Sequence, residues 1–325
     1  MLFPALLCAC PFVEAQEKPQ QPKETIRVTV DRVNVGVIVT DSQGHFVEGL
    51  RREDFRVFDD GIEQPLTSFA AIEEPAQVLL LIEAGPAVYL LEGGHLQAAD
   101  SLLNGLSADD RVAVVKYAAA PAGLLDFTAD KQAAAAAFGQ LRFNLGFGSL
   151  NLSSSVSKVL EWFAGVQGKK TIVLLSTGVD TSPVSEMALV MQQLRVSEVR
   201  LLAISLTGEL EKPRLRQKKK SAATGSSEEG NEFEQAHELL KQMAELTGGR
   251  AYFPMDARGF NFAYSEIAQL VRHEYSLAFA PPIRDGSVHS LKVHFRMPAT
   301  QGANASAASY RVDHRQAYLA PAPRQ

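Results

Sequence analysis

Glu83 is the acid whose setting carries the most chemistry. It closes the apolar run Val78-Leu79-Leu80-Leu81-Ile82 and precedes the small-residue turn Ala84-Gly85-Pro86-Ala87. Such a run ending in an acid reads as a buried parallel strand that delivers a carboxylate to the top of a sheet. A carboxylate placed there can ligate a hard cation, act as acid or base, or accept bonds from backbone amides at a helix N-terminus. The last of these is the expectation for Glu83. With Asp180, in Leu174-Leu175-Ser176-Thr177-Gly178-Val179-Asp180, it could also form the paired acids of a hydrolase if the fold brings them together.

Other catalytic patterns are missing. None of the seven histidines (His45, His95, His237, His273, His289, His294, His314) forms a His-x-x-x-His or His-Glu-x-x-His pattern. His289 and His294 lie five apart in a strand-like stretch and so face opposite sides, as surface or turn residues and not a metal pair. No Gly-x-Ser-x-Gly is present, so a hydrolase nucleophile elbow has no support. Gly146-Phe147-Gly148 lacks the third glycine and the preceding strand of a dinucleotide fingerprint. Trp162 with Phe163 reads as core.

The chain of 325 residues can hold one large domain or two ordinary ones, and its 46% hydrophobic and 21% charged residues are ordinary globular composition. A net charge of −5 gives no reason to expect nucleic acid or anionic membrane as partner. The basic run Lys218-Lys219-Lys220 reads as solvated loop. Residues 1–15 are apolar, end in Val13-Glu14-Ala15, and resemble a secretory signal peptide. Both cysteines, Cys8 and Cys10, lie inside that segment. Leu7-Cys8-Ala9-Cys10 also resembles a lipoprotein-processing site, which would place a lipid anchor on Cys10. No later stretch approaches the roughly 18 apolar residues of a membrane span. The expectation is an exported protein, secreted or held in the periplasm or cell envelope, with no integral membrane span.

Elements must position Glu83, and their order is legible. Residues 16–25 are polar and Pro-rich, a linker. Ile26, Val28 and Val30 alternate, and Val33, Val35, Val37 and Val39 resume on the other phase, so 26–73 begins as half-buried strands. Asp60-Gly61 after Phe55-Arg56-Val57-Phe58 is a hairpin signal. Between 76 and 272, strand-like segments (77–83, 111–117, 122–127, 171–176, 199–205, 250–253) alternate with helix-like ones (88–105, 130–141, 153–166, 183–194, 233–246, 260–272). That alternation predicts a doubly wound, mostly parallel α/β sheet. Residues 208–231 interrupt it with a polar, charged stretch read as a flexible insertion. Strand patterning returns over 274–320, and two β-rich segments around an α/β domain predict one antiparallel β-sandwich with that domain inserted.

The segment around Glu83 resembles the first strand of von Willebrand factor type A (vWA) domains, which ends in Asp-x-Ser-x-Ser and ligates a divalent metal. The matching positions here are Glu83, Gly85 and Ala87. By the same resemblance, the family's threonine ligand falls at Ser149 in Phe147-Gly148-Ser149-Leu150, and its later aspartate ligand at Thr177. Asp180 lies three residues past that position. "VIVTDSQGHFVEGLRREDFRVFDDGIEQPLTSF", "EYSLAFAPPIRDGSVHSLKVHF" and "YRVDHRQAYLAP" further resemble the acidobacterial vWA-related family, with Ala317-Tyr318 where that family has Gly-Tyr. This resemblance spans about residues 26–320. It implies a non-enzymatic module that binds a protein through the rim 83–88, 146–151 and 177–183. One carboxylate and one hydroxyl are too few oxygens for a hard cation, so no tight Mg²⁺ or Ca²⁺ and no cofactor is expected. The alternative is a module that still binds Mg²⁺ or Ca²⁺ weakly and recognises a partner's carboxylate.

Overall fold

The computed structural model describes residues 32–72, 74–85, 92–141, 148–208, 228–296 and 310–323, all within one compact unit, Asp31–Gln325. The leader 1–15, the linker 16–25, the strand through Ile26, Val28 and Val30, Ala87, and most of the 208–231 stretch with Lys218–Lys220 lie outside the described residues.

Alternating valines form β1 (Val33–Thr40), with Val33, Val35, Val37 and Val39 buried on one side. A 3₁₀ turn (Arg52–Asp54) leads into β2 (Phe55–Asp59), β3 (Ile62–Gln64) and β4 (Leu66–Ile72). Asp60 and Gly61 both have positive φ (46° and 83°), the conformation a tight hairpin between β2 and β3 requires. After the α/β region the chain returns as β11 (Glu274–Phe279), β12 (Val288–Phe295), β13 (Arg311–Asp313) and β14 (Ala317–Leu319). These eight strands make two four-stranded antiparallel sheets, ordered β13-β1-β11-β4 and β14-β12-β2-β3. Each sheet mixes strands from both ends of the chain, and their inner faces share one core of Val35, Val57, Leu277, Phe279 and Val293.

The α/β domain leaves and rejoins the sandwich at one point. β4 ends at Ile72, which pairs directly with Glu274, the first residue of β11. Between them run β5 (Ala76–Glu83), α1 (Glu92–Gly105), β6 (Arg111–Tyr117), β7 (Pro121–Thr128), α2 (Lys131–Gly139), α3 (Leu152–Ala164), β8 (Lys169–Ser176), α4 (Val184–Val196), β9 (Arg200–Ser205), α5 (Glu228–Leu246), β10 (Ala251–Tyr252) and α6 (Ala257–Arg272). Asp130 caps α2 by accepting from the amides of Gln132 and Ala133, and Asp256 caps α6 at Gly259. α5 begins at Glu228, so the last residues of the 208–231 stretch are helical.

The central sheet has the order β10-β9-β8-β5-β6-β7, all parallel except β7. In chain order the six strands read 3-2-1-4-5-6 across the sheet, the doubly wound arrangement. Strand periodicity divides its side chains between two cores. Val78, Leu80 and Ile82 pack with α1, α2 and α6, whereas Leu79 and Leu81 pack with α3, α4 and α5. Both faces are covered, and each fully buried Leu or Ile contributes on the order of 1.5–3 kcal/mol.

Buried charges join the two parts. The Arg250 guanidinium contacts Asp313 (2.6 Å), Glu266 (2.6 Å) and the Thr40 hydroxyl (2.8 Å), linking β13 and β1 of the sandwich to α6. Arg200 bonds Glu274 (3.2 Å) and the carbonyls of Gly36 and Gly248, and Lys169 lies 3.7 Å from Glu274. No helix among the described residues is long and apolar enough to cross a membrane.

Candidate functional site

The chain runs from β5 outward through β6 and β7, then from β8 outward on the other side. Strand order therefore reverses between β5 and β8, and the crevice above that reversal is where doubly wound sheets bind ligands. Glu83 ends β5 and Thr177 follows β8, so both stand there.

Period-two geometry predicts the company Glu83 keeps. Glu83, Tyr117 and Ser176 continue the rows Leu79-Leu81, Ala113-Val115 and Ile172-Leu174, so all three face α3, α4 and α5. They form the polar top layer of that core, and Glu83 has no exposed surface. Its Oε2 accepts from the Thr177 amide (2.7 Å), the Thr177 hydroxyl (2.9 Å), the Ser176 hydroxyl (3.2 Å) and Tyr117 (3.2 Å). The Tyr117 hydroxyl also bonds Ser176 Oγ at 2.7 Å. Among the described residues, the buried Glu83 Oε1 has no hydrogen-bond partner. Burial pushes the Glu83 carboxyl above its ordinary range, against the downward pull of the bonds from Thr177, Ser176 and Tyr117. Burial and the Glu83 charge together push the Tyr117 phenol well up.

The expected bond to backbone amides is present, but its donor is the loop after β8 and not a helix N-terminus. Asp180 takes that second role. Its Oδ1 accepts from the amide of Leu152 (3.1 Å) and its Oδ2 from that of Ser153 (3.2 Å), capping α3, whose own N-cap residue Asn151 makes no side-chain cap bond. Oδ1 also accepts from the Ser182 amide at 3.1 Å. The Asp180 carboxylate is therefore directed at the backbone of Leu152, Ser153 and Ser182 and not at Glu83.

The remaining positions close the crevice. A Cβ on Gly85 would lie 3.0 Å from Leu150 Cδ2 and 3.2 Å from Glu83 Oε1, so a serine there would require Leu150 to move. Leu150 is fixed from both sides: its amide donates to Thr181 Oγ1 (3.0 Å) and its carbonyl accepts the Thr181 amide (2.8 Å). Asn151 Nδ2 bonds the Ala119 carbonyl (2.8 Å), tying the same loop to the end of β6. Ser149 is exposed, and Ala87 lies outside the described residues. This donor set does not fit a hard divalent ion, which takes six or more oxygens. Thr177 supplies two donors where the family's pattern has an acid, and an acid beside Glu83 would need a cation between them.

Sequence reasoning missed Tyr117 and Ser176, and it placed Leu150 and Thr181 in the rim without a role. Tyr117 and Ser176 carried a signal, being polar strand-end residues on the two neighbours of β5. The rim also presents apolar side chains: Val179 and Val184 are 41% and 87% exposed.

No protein-family model matches the chain, and no curated protein matches it. Solved structures do resemble it. A von Willebrand factor type A protein from Catenulispora acidiphila is 11% identical over 82% of this chain and 74% of that one, with a TM-score of 0.46. An aerotolerance-related membrane protein from Bacteroides fragilis is 15% identical over 61% and 98%, with a TM-score of 0.43. The manganese-loaded TRAP protein of Plasmodium vivax is 14% identical over 83% and 100%, with a TM-score of 0.43. Likenesses at this level carry no argument about activity. The strand order is that of a doubly wound α/β domain with an acid at its switch point, inserted in an antiparallel β-sandwich.

Proposed function

We propose that this chain is an exported, non-enzymatic protein-binding module of the secreted or cell-envelope class, whose switch-point metal site is degenerate. Its parts are a β-module of 26–73 and 274–320 and a vWA-like domain of 76–272. A protein partner docks on the rim that carries Glu83, Gly85, Ala87, Ser149, Thr177 and Asp180, through loop shape, hydrogen bonds and the exposed Val179 and Val184. The supporting observation is the saturation of Glu83 Oε2 by Thr177, Ser176 and Tyr117, which satisfies that oxygen without a cation. A hydrolase using Glu83 and Asp180 gains nothing from the geometry, because Asp180 caps α3.

One observation favours a second reading. The unpartnered Glu83 Oε1 is an available oxygen, which suits a module that binds Mg²⁺ or Ca²⁺ weakly and completes the site with a partner's carboxylate. Thermal melts separate the two. Under the main reading, millimolar Mg²⁺ or Ca²⁺ leaves the melting temperature of the chelator-stripped protein unchanged. A cation at 100 times its Kd would add about 2.7 kcal/mol, a shift of several degrees. A shift of that size that Glu83→Gln abolishes would overturn the degenerate site.

A further inference from the structure

A second group of ligand-type side chains converges in the sandwich, far along the chain from the rim. Asp59 ends β2 and Asp60 opens the hairpin turn, while His289 lies on β12 across from them and pairs with Tyr318 of β14. The expectation that His289 is a surface or turn residue fails, for it is 3% exposed. Strand alternation does put His294 on the opposite, solvent side. His289 Nδ1 stands 2.9 Å from Asp59 Oδ1 and 3.1 Å from Asp60 Oδ2.

The other atoms of these three side chains are engaged elsewhere. Asp59 Oδ2 accepts the Tyr318 hydroxyl at 2.9 Å. Asp60 Oδ1 accepts the amide and hydroxyl of Ser290, each at 2.8 Å. His289 Nε2 lies 3.4 Å from Asp285 Oδ1, an oxygen itself held by the Ser287 amide at 2.8 Å. Each side chain thus turns one atom inward, and these three atoms face one another.

We propose that Asp59 Oδ1, Asp60 Oδ2 and His289 Nδ1 ligate a divalent cation of the Zn²⁺ or Mn²⁺ class, with Asp285 as positioning residue on Nε2. Ligands about 2.1 Å from one metal at angles near 90–109° lie roughly 3.0–3.4 Å apart, close to the 2.9 and 3.1 Å from Nδ1 to the two carboxylate oxygens, and all three atoms lie within 4.8 Å of one another. Three protein ligands leave positions for water, and Asp60 is half exposed on the open side. A carboxylate behind the far ring nitrogen is the usual support of a ligating histidine. It fixes the Nε2–H tautomer and turns the Nδ1 lone pair to the metal. One imidazole with two carboxylates selects transition ions over Mg²⁺ or Ca²⁺, which prefer oxygen alone. The cation replaces the proton that Nδ1 otherwise shares with Asp59 and Asp60, so binding releases that proton and weakens as pH falls. It also staples the β2–β3 hairpin to β12. This site is independent of the switch-point reading, and each can fail without the other.

The test is isothermal titration of tag-free, chelator-stripped full-length chain with Zn²⁺ and, separately, Mn²⁺. Saturable binding is expected, weakened about tenfold or more by Asp60→Asn and about 10–100-fold by Asp285→Asn. Asp60 and Asp285 are half exposed, so both variants should fold, and circular dichroism of the metal-free proteins checks this. No saturable binding in the wild type, or full binding in both variants, overturns the proposal. The second result would place the ion elsewhere, as on Cys8 and Cys10.

Discussion

Replacing Glu83 with glutamine should make the protein's stability less sensitive to rising pH. The carboxyl has no exposed surface, and burial raises its folded value above the unfolded one of about 4.3. The folded state therefore keeps this proton to higher pH than the unfolded state does. Its stabilising contribution is complete below the unfolded value and is lost as pH rises through the folded one. Each pH unit between the two values costs the wild type about 1.4 kcal/mol. Glutamine has no proton to lose. Its carbonyl can take the place of Oε2 and keep the bonds from Thr177, while its amide group lands at the Oε1 position, which has no partner. That misplaced donor costs about 1–3 kcal/mol at every pH.

The variant should thus be less stable than wild type near pH 4 and gain on it as pH rises, levelling off once the wild-type carboxyl is ionised. Urea unfolding of both proteins from pH 4 to pH 8 reads the difference directly, and other titrating groups cancel in the comparison. A difference that stays flat would mean a carboxylate ionised throughout, as a cation ligand must be, and would refute the account of Glu83. A wild type that gains on the variant with rising pH would refute it more strongly.

Two further outcomes follow from the contacts. Asp180→Ala should destabilise the protein by about 1 kcal/mol through loss of the α3 cap, visible as a lower urea midpoint with unchanged slope. Arg250→Ala leaves Asp313 Oδ2 buried without its partner, with Arg311 still on Oδ1, and should cost about 3 kcal/mol, whereas a loss below 1 kcal/mol would mean that the sandwich and the α/β domain are not joined there.

Periodicity made the scaffold legible. The valines at 33, 35, 37 and 39 and the runs at 78–82 and 171–175 declare their strands, because burial on one face or two leaves period two or none. Asp60-Gly61 declared its hairpin for the same local reason. Glu83 was legible as a strand-end acid, but its partners were not. Thr177 reaches it only because β8 lies beside β5, a neighbour relation fixed by chain crossover and invisible in either segment. Leu150 closes over Gly85 because Thr181, 31 residues away, holds its backbone. His289 misled for the same reason. Its spacing from His294 describes one strand, whereas its burial comes from Asp59 and Tyr318 on the strands either side.

The central proposal is that the switch-point carboxylate takes its bonds on Oε2 from protein donors and holds no cation. Anomalous scattering at the manganese edge, from crystals soaked in Mn²⁺, tests it most directly. The account predicts no peak beside Glu83, with Thr177 still donating to Oε2. A peak about 2.2 Å from Glu83 Oε1, with Leu150 swung away from Gly85, would contradict it.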